Sequence, residues 1–483
     1  MSNFRDYDQS QTVYRQLVPS QLLEDDHPAR IVDAVVEKLN LDKVYAWYQE
    51  EGKPAYHPQM MLKVLFYSYM IGNMSCRKME AGLQLRADYV FLSGDQVPDF
   101  RTLNAFRTRH MVELPGLFAQ IVLLCSALGM VDFKNLAIDG QKIHANANFR
   151  NNVDRARAKK QLERIRKGME KLLLQEPSDS LTQETIDERR KRLERKEIRL
   201  AQTLATLESM EDEKASINMV DADAKIMSHK DRRILPSYNH QSAVDGNFGI
   251  TCAVATTQSG DVPADLFSLV DAAEANAGKP FVSVLADSGF SDYETLRAME
   301  EDRDETFHVP DKMQEVVDRG ETTRGEYNKS RFSVNEDGTA MTCPKGKAMQ
   351  MAGEKQCEDG HTERTFVGLG CAECPVRSAC TKAKDGKRQV SYDSREPFRE
   401  VMRERLRSSE GREAYRQRQG IVEPTHGHDQ KNLGWRQHHL RSLAKATLEF
   451  QLLRLAGNIG KIARYKAQEL LAMAGGMPNY AEA

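Results

Sequence analysis

Apolar residues recur at helical spacing through the first 130 residues. One predicted helix begins at Pro58 and ends near Gly72, with an apolar face formed by Met61, Leu62, Leu65, Phe66 and Tyr69. Ser75 and Asp99 are predicted to cap the next two helices, which carry basic residues on their outer faces. Short helices of this kind are compatible with a helix-turn-helix DNA-binding domain and equally with a plain helical packing domain.

Short apolar runs that end on an acid predict strands further along the chain. Residues 135–139 form one such run, ending on Asp139, and residues 142–147 are predicted to form a separate strand that returns beside it. Residues 281–286 form another, which ends on Asp287 and is apolar throughout, as is typical of a strand covered on both faces.

A hairpin and a further helix complete this part of the pattern. Residues 238–245 and 248–256 are predicted to pair through the turn at Gly246-Asn247, and a helix is predicted from Tyr293. Strands followed by a helix, with long stretches of other character between them, indicate an α/β domain that is interrupted by insertions.

The first interruption, residues 151–215, is almost entirely charged or Leu/Ile. A seam at three- and four-residue spacing continues on both sides of a break at Pro177-Ser178-Asp179-Ser180, and this predicts two helices that pack as an antiparallel coiled-coil hairpin. The seam comprises Leu162, Ile165, Met169, Leu172, Ile186, Leu193, Leu200, Leu204 and Leu207.

These patterns together predict six segments. They are a helical N-terminal DNA-binding domain (1–130), a first core part (131–150), the coiled-coil hairpin (151–215), a second core part (216–315), a Cys-rich insertion (316–392) and a C-terminal helical part of the core (393–483). The predicted fold is an α/β core with an all-α N-terminal domain and two insertions.

Charge is distributed unevenly along the chain. The net charge is only −2, but residues 381–470 hold 20 Lys and Arg against 11 Asp and Glu, a net of +9. A basic C-terminal quarter suits contact with phosphates, although a solvated helical face explains any single cation there equally well.

Neither a leader nor a membrane span is expected. The first ten residues are polar, and the longest apolar run, residues 117–131, has 15 residues with a Gln inside it. We therefore expect a cytoplasmic protein that makes no contact with a membrane.

Five of the eight cysteines lie close together in the sequence. Cys343, Cys371, Cys374 and Cys380 have the spacing C-x27-C-x2-C-x5-C, in which the Cys-x2-Cys step is typical of a metal knuckle. Four thiolates suit a structural Zn²⁺, with Cys357 or His361 as a substitute for one ligand. Four reduced structural thiols are the alternative interpretation.

Three acids are candidates for a catalytic metal site. Asp139 and Asp287 each follow an apolar strand, and each could instead cap the following turn. Glu423, in the basic quarter, is predicted to lie at a helix start because Pro424 follows it. Three carboxylates could hold two hard cations such as Mg²⁺, which activate and stabilise oxygens in phosphoryl transfer.

Four histidines also lie in the basic quarter. A metal interpretation of His426, His428, His438 and His439 is less favoured than contact with phosphate or water, and His144 is predicted to pack inside the core.

The stretches that contain the three acids carry a family resemblance. LAIDGQKIHANAN, DADAK with YNHQSAVD, LADSGFSD, and the long run that begins YRQRQGIVEPTHGHDQK resemble, in this order, bacterial insertion-sequence transposases of the DDE type. The run from AYHPQMMLKVLFYSYMIGNMSCRKME to DFRTLNAFRTRH is similar to the helical leader of those enzymes. The resemblance covers most of residues 10–465 and implies a ribonuclease-H-like catalytic core.

The resemblance also implies roles for individual residues. Asp139, Asp287 and Glu423 would be the catalytic acids that hold two Mg²⁺, for which Mn²⁺ can substitute. A Tyr-Arg-Glu-Lys signature maps onto Tyr415, Arg418, Glu423 and Lys431, and these basic and aromatic positions, with Arg436, are assigned to DNA binding. The Arg-to-Glu and Glu-to-Lys gaps are each one residue longer than usual, and Thr425-His426-Gly427 stands where the family tends to carry an aromatic residue and Gly.

The implied function is cleavage of transposon ends in double-stranded DNA and strand transfer into target DNA, by a chain expected to act as a homodimer. A metal-dependent nuclease without joining activity uses the same acids and is not separated from this by sequence. A non-catalytic DNA-binding protein derived from a transposase predicts the loss of at least one acid, whereas all three candidates are present.

Overall fold

The computed structural model describes residues 18–48, 54–175, 182–260, 265–311, 325–358 and 360–473. Helices in this part of the chain are α1 (Pro28–Lys38), α2 (Asp42–Tyr45), α3 (Pro58–Met70), α4 (Cys76–Leu85), α5 (Ala87–Ser93), α6 (Phe100–Arg109), α7 (Leu114–Ala127), α8 (Arg155–Leu173), α9 (Gln183–Ser209), α10 (Leu266–Ala277), α11 (Tyr293–Glu301), α12 (Arg377–Cys380), α13 (Glu396–Arg407), α14 (Ser409–Gly427), α15 (Leu443–Tyr465) and α16 (Ala467–Ala472).

Strands in the same part of the chain are β1 (Asn135–His144), β2 (Asn152–Val153), β3 (Ile217–Asn218), β4 (Lys225–Ser228), β5 (Ile234–Asp245), β6 (Thr251–Thr257), β7 (Ser283–Leu285), β8 (Thr306–His308), β9 (Ser333–Val334), β10 (Met341–Thr342), β11 (Ala348–Gln356), β12 (Thr362–Gly368) and β13 (Gln389–Asp393). The protein is therefore a mixed α/β structure with a helical N-terminal region. It divides into two compact units, Met1–Leu128 with Gln451–Ala483, and Gly129–Phe450.

The described secondary-structure elements of the first unit are all helices. Helix α3 begins at Pro58, and Gly72 follows its end with a φ of 76°, as the sequence pattern predicts. Asp99 accepts a hydrogen bond from the Thr102 amide and so caps α6, whereas Ser75 occupies the cap position of α4 without a side-chain bond.

The apolar helices of this unit are short. Among the described residues no single helix has the length and apolar character needed to cross a membrane, and only α6 and α7 taken together, bent by 82°, would meet that test on length and composition alone.

The second unit is built on a six-stranded mixed sheet. Its order is β4-β5-β1-β7-β8, with β6 also paired to β5. β1 pairs antiparallel with β5 and parallel with β7, which in turn pairs parallel with β8. The hairpin β5–β6 and the helix at Tyr293 follow the sequence prediction.

The prediction of two strands around Asp139 is wrong. Residues 135–144 form the single strand β1, which pairs with β5 from Leu136 opposite Asp245 to His144 opposite Ser237. A polar residue at Asp139 does not end the strand because its side chain, like that of Gln141, finds polar partners on the covering helical segment.

Helices α8 and α9 pack against each other in antiparallel orientation. Lys159 pairs with Glu208 near one end, and Arg166 pairs with Glu197 further along. All nine residues of the predicted seam are buried or half-buried, while most residues between them are exposed. The predicted break at Pro177–Ser180 lies outside the described residues.

A five-stranded antiparallel sheet with the order β13-β12-β11-β10-β9 forms a separate layer between residues 333 and 393. Its buried core is small and consists of Phe332, Met341, Met349, Phe366, Val390 and Tyr392. All but one of the residues of β11 are exposed, so this sheet buries little apolar surface of its own.

Asp245, at the end of β5, is fully buried and accepts hydrogen bonds from the Asp132 and Asn247 amides. Burial, helped by the charge of Asp132, raises its pKa from 3.8 to about 6. A raised carboxyl pKa adds stability that is fully present below the unfolded pKa and is lost as pH rises through about 6.

We therefore expect this group to cost about 3 kcal/mol of unfolding free energy between pH 4 and pH 7.5. Asp245→Asn should flatten that part of the pH profile, as measured by urea unfolding at several pH values. Profiles that stay parallel for the two proteins would contradict the assignment.

Candidate active site

The pairing of β1 with β7 brings two of the predicted acids to the same level of the sheet. In the parallel register Ala137 lies opposite Leu285. Asp139 and Asp287 each follow two residues later, so they stand side by side where β7 has ended. Because side chains alternate along a strand, Asp139 points to the same face as Ala137.

Helix α14 covers that face. Ala137, Val244 and Leu285 of the sheet pack against Val422, with Ala414 and Ile421 at the edge of the cluster. Ile421 and Val422 follow Ala414 by seven and eight residues, about two helical turns, so the three form one apolar stripe. Arg418 lies on the same stripe, four residues before Val422, and is thereby directed at the sheet.

Arg418 is largely buried and needs an anionic partner there. Its Nη1 lies 3.4 Å from Asp139 Oδ1, and its guanidinium stands over the Tyr415 ring at 5.7 Å. His426, two turns further along the helix, places Nδ1 3.7 Å from Asp139 Oδ2. One carboxylate thus meets two nitrogenous side chains of α14.

Burial is the main cause of a raised pKa at Asp139, and the neighbouring charge of Asp287 adds to it. Arg418 and Lys230 act in the opposite direction, as does a hydrogen bond from the Gly140 amide. Asp287 accepts a hydrogen bond from the Gly289 amide at 2.8 Å through Oδ1, which makes it the cap of the turn Ser288–Phe290.

Glu423 lies on the same helix between Arg418 and His426, and its side chain is exposed. The prediction that a helix starts at Glu423 is wrong. Helix α14 starts at Ser409, capped by Ser408, whose Oγ accepts from the Gly411 amide, and Pro424 lies in its interior. Proline supplies no amide for the carbonyl four residues earlier, and a π-helical turn, His428–Asn432, follows directly.

The residues assigned to DNA binding occupy two environments. Arg418 and Tyr415 face inward, where the guanidinium meets Asp139. Lys431, in the π-helical turn, and Arg436, just beyond it, are exposed. The exposed pair is therefore available to phosphates without loss of a buried ion pair.

Sequence reasoning missed two neighbours of Asp139. His426 was assigned to phosphate or water, but the i, i+4, i+8 spacing of Arg418, Val422 and His426 would have placed it on the inward face. Lys230 belongs to the basic run HKDRR between β4 and β5, a signal that was present in the sequence.

The donor set suits a hard divalent cation. Asp139 on β1 and Asp287, just beyond the end of β7, offer carboxylate oxygens, and the largely buried guanidinium of Arg418 supplies a positive charge beside Asp139. Among the described residues the ligand atoms of the three acids do not all lie within 4.8 Å of one another. A two-ion site does not require this, because ions about 4 Å apart let the acids divide between them.

The acids of the DADAK motif and the histidine pair His438 and His439 make structural contacts. Asp221 accepts from the Tyr238 hydroxyl and the Ser442 amide, and Asp223 accepts from the Leu443 amide, so the DADAK motif anchors the start of α15. His438 and His439 each contact the buried Glu449.

Four of the clustered cysteines, Cys343, Cys371, Cys374 and Cys380, line one cavity. Cys357, offered as a substitute ligand, lies in the β11–β12 turn, outside that lining. His361, the other substitute, lies 3.5 Å from Asp393 Oδ2. The four thiols form no disulfide.

Comparison with known families bears on two parts of the chain. A family model described as "Transposase DDE domain" matches residues 342–463, and one described as "Transposase domain (DUF772)" matches residues 18–109. The two matches support an insertion-sequence DDE transposase. No curated protein matches the chain.

The DDE match covers Glu423, most of the basic quarter and the four cysteines, and it begins after Asp139 and Asp287. Transposase DDE domains generally use divalent metal ions, and transposases act on DNA. The family match therefore says nothing about the two aspartates, and their roles are inferred from the geometry of β1, β7 and α14.

Proposed function

We propose that this transposase cleaves phosphodiester bonds at the ends of its insertion sequence and joins those ends to target DNA at a site formed by Asp139, Asp287 and Glu423. The observation that carries the proposal is the parallel β1–β7 register, which sets two acids from distant parts of the chain side by side beneath the helix that holds the third.

The roles proposed for the three acids follow from how exposed each side chain is. Asp139, half-buried on β1, and Asp287, fixed by its bond to the Gly289 amide just beyond β7, would hold the cations between them. Glu423, exposed on α14, faces the solvent side from which DNA arrives. When bound, Mg²⁺ or Mn²⁺ activates the attacking oxygen and stabilises the leaving oxygen.

Arg418 is proposed to balance the carboxylates before the cations bind. Two half-buried aspartates side by side are costly without a counter-charge, and the guanidinium beside Asp139 offsets that cost. The other cations act on the DNA backbone: Lys431, Arg436 and the loop at Lys230 present exposed charges.

We propose a ribonuclease-H-like core for the sheet and its covering helix, a coiled coil for α8–α9, and double-stranded DNA as the substrate. Strand transfer requires that two ends be brought together, so a homodimer is part of the proposal.

The proposal is tested first at Asp287. Asp287→Asn keeps an oxygen that can accept from the Gly289 amide but removes the charge, so the turn should persist while cleavage of a plasmid that carries the element with its flanking DNA falls about 10³-fold. Binding of the same DNA should change less than about threefold, since the phosphate-facing cations are untouched.

Asp292→Asn is the matched control, because Asp292 caps α11 five residues away and is exposed. Its cleavage should equal that of the unmodified transposase. Undiminished cleavage by Asp287→Asn would overturn the assignment. If the unmodified protein cleaves the plasmid but does not join pre-cut ends in a separate assay, the nuclease alternative is favoured. If it binds DNA without any cleavage, the non-catalytic alternative is favoured.

A further inference from the structure

We infer that Cys343, Cys371, Cys374 and Cys380 bind one structural Zn²⁺ that holds the five-stranded sheet β9–β13 together. The inference concerns a site apart from the three acids and does not depend on catalysis.

The first argument is convergence. Cys343 lies in the turn between β10 and β11, whereas the other three follow β12, in the loop and short helix α12. All four are half-buried and line the same cavity, which also receives Lys345, Lys347 and Arg388. Four thiolates with one Zn²⁺ carry a net charge of −2, and these three cations are suited to balance it.

The second argument is the backbone that carries the thiols. The Gly346 amide donates to the Cys343 carbonyl at 2.8 Å, and the Cys374 amide donates to the Cys371 carbonyl at 3.2 Å, so each pair folds into a tight turn. Gly346 has a φ of 73°, a conformation that glycine adopts without strain. A side chain at Gly368 would collide with Cys371 Sγ, so the absence of a Cβ there leaves room for this sulfur.

The third argument is energetic. In the part of the chain that the structure describes, the core of the sheet comprises six buried residues, and Cys343 and Cys380 pack against it. Small modules with so little buried apolar surface usually need a disulfide or a metal. The cysteines form no disulfide, so a bound metal ion is the cross-link that four free thiols can support.

Soft thiolates select the ion. Four sulfurs favour Zn²⁺ over the hard cations of a carboxylate site. The competing cluster His361, Glu363 and Asp393 has ligand atoms within 4.8 Å of one another, but Asp393 already accepts from the Arg395 guanidinium through both oxygens. The four sulfurs do not meet that distance among the described residues, so Zn²⁺ binding would draw the two turns closer together.

The test is elemental analysis of the full-length protein expressed with zinc in the medium. We expect about one zinc per chain, falling to less than a fifth of that in Cys371→Ser and Cys374→Ser. Cys357→Ser is the matched control, because Cys357 lies in the turn between β11 and β12 of the same sheet but outside the cavity lining, and this variant should keep its zinc.

A second measurement does not require a variant to fold. Zinc is removed from the unmodified protein with a chelator and replaced by Co²⁺, which should give the absorption of tetrahedral thiolate coordination at one equivalent. Less than 0.2 zinc per chain, an absent cobalt spectrum, a disulfide among the four cysteines, or equal zinc loss in Cys357→Ser would overturn the inference. Zinc content is measured without DNA, so a failure here leaves the proposed cleavage site unaffected, and the converse also holds.

Discussion

Glu423→Gln should lower cleavage of the transposon ends about 10²- to 10³-fold while the protein remains folded and binds DNA. The side chain is exposed and its helix is held by Val422, which the substitution does not touch, so little stability is at risk. What is lost is one anionic ligand of the proposed cation pair, and removal of one preorganised electrostatic group typically costs this much in rate.

The sharpest control lies on the same helix. Glu413 is also exposed and pairs with Arg416, three residues later, so Glu413→Gln removes the same charge from α14 without removing a partner of Asp139. Cleavage rates should separate the two variants, measured with Mg²⁺ and again with Mn²⁺. If both variants cleave as the unmodified protein does, the third acid lies elsewhere, even where Asp287→Asn has already abolished cleavage.

Local patterns were sufficient for elements that depend on local physics. Helix α3, between a proline and a glycine, the cap at Asp99 and the buried seam of α8 and α9 all follow from chain-local preferences. The strand that ends before Asp287 was also predicted, because a continuous apolar run needs cover on both faces.

Tertiary contacts decided the elements that were predicted wrongly. β1 passes through Asp139 because β5 supplies backbone partners along its whole length and α14 supplies partners for the polar side chains. Likewise Pro424 did not mark a helix start, since packing of Ala414, Ile421 and Val422 on the sheet outweighs the one backbone bond that proline removes.

In the candidate site, too, local sequence preferences and tertiary contacts decide different features. The sequence identified the acids one at a time, each with a capping role as an alternative, and Asp287 does cap a turn. Their proximity depends on the parallel register of two strands separated by about 140 residues, which no local pattern contains. His426 was missed for a related reason: its environment is set by which face of α14 meets the sheet.

The buried carboxylate of Glu449 connects the segment after α14 to the sheet. It accepts from His438 Nδ1 at 2.9 Å and from His439 Nδ1 at 2.7 Å, and the His439 amide also donates to it. His438 continues the chain to His240 at 2.8 Å, and His240 to the Thr256 hydroxyl at 2.9 Å. With Nδ1–H of His438 directed at Glu449, its Nε2 is left to accept from His240, and Thr256 then donates to His240.

Glu449→Gln should therefore destabilise the second unit by about 3–5 kcal/mol. The amide can accept through one oxygen only, and its NH₂ group would face donors of His438 or His439, which leaves buried groups unpaired. Glu294→Gln is the control: Glu294 is exposed and pairs with Arg297, so its loss should cost less than about 1 kcal/mol. Trp435 packs against His438 and reports unfolding by fluorescence once the half-exposed Trp47 is replaced by Phe.

Acid titration separates the contribution of the Glu449 charge to stability from the contribution of its packing. Burial alone would raise its pKa, but hydrogen bonds from His438 and His439 outweigh burial and lower the pKa from 4.5 to about 2. A lowered carboxyl pKa adds stability that is present above about pH 5 and is lost as pH falls through 4.5 towards 2, here about 3 kcal/mol. The difference in unfolding free energy between the unmodified protein and Glu449→Gln should shrink by that amount over this range, whereas a constant difference would mean that the network is held by shape and not by the charge.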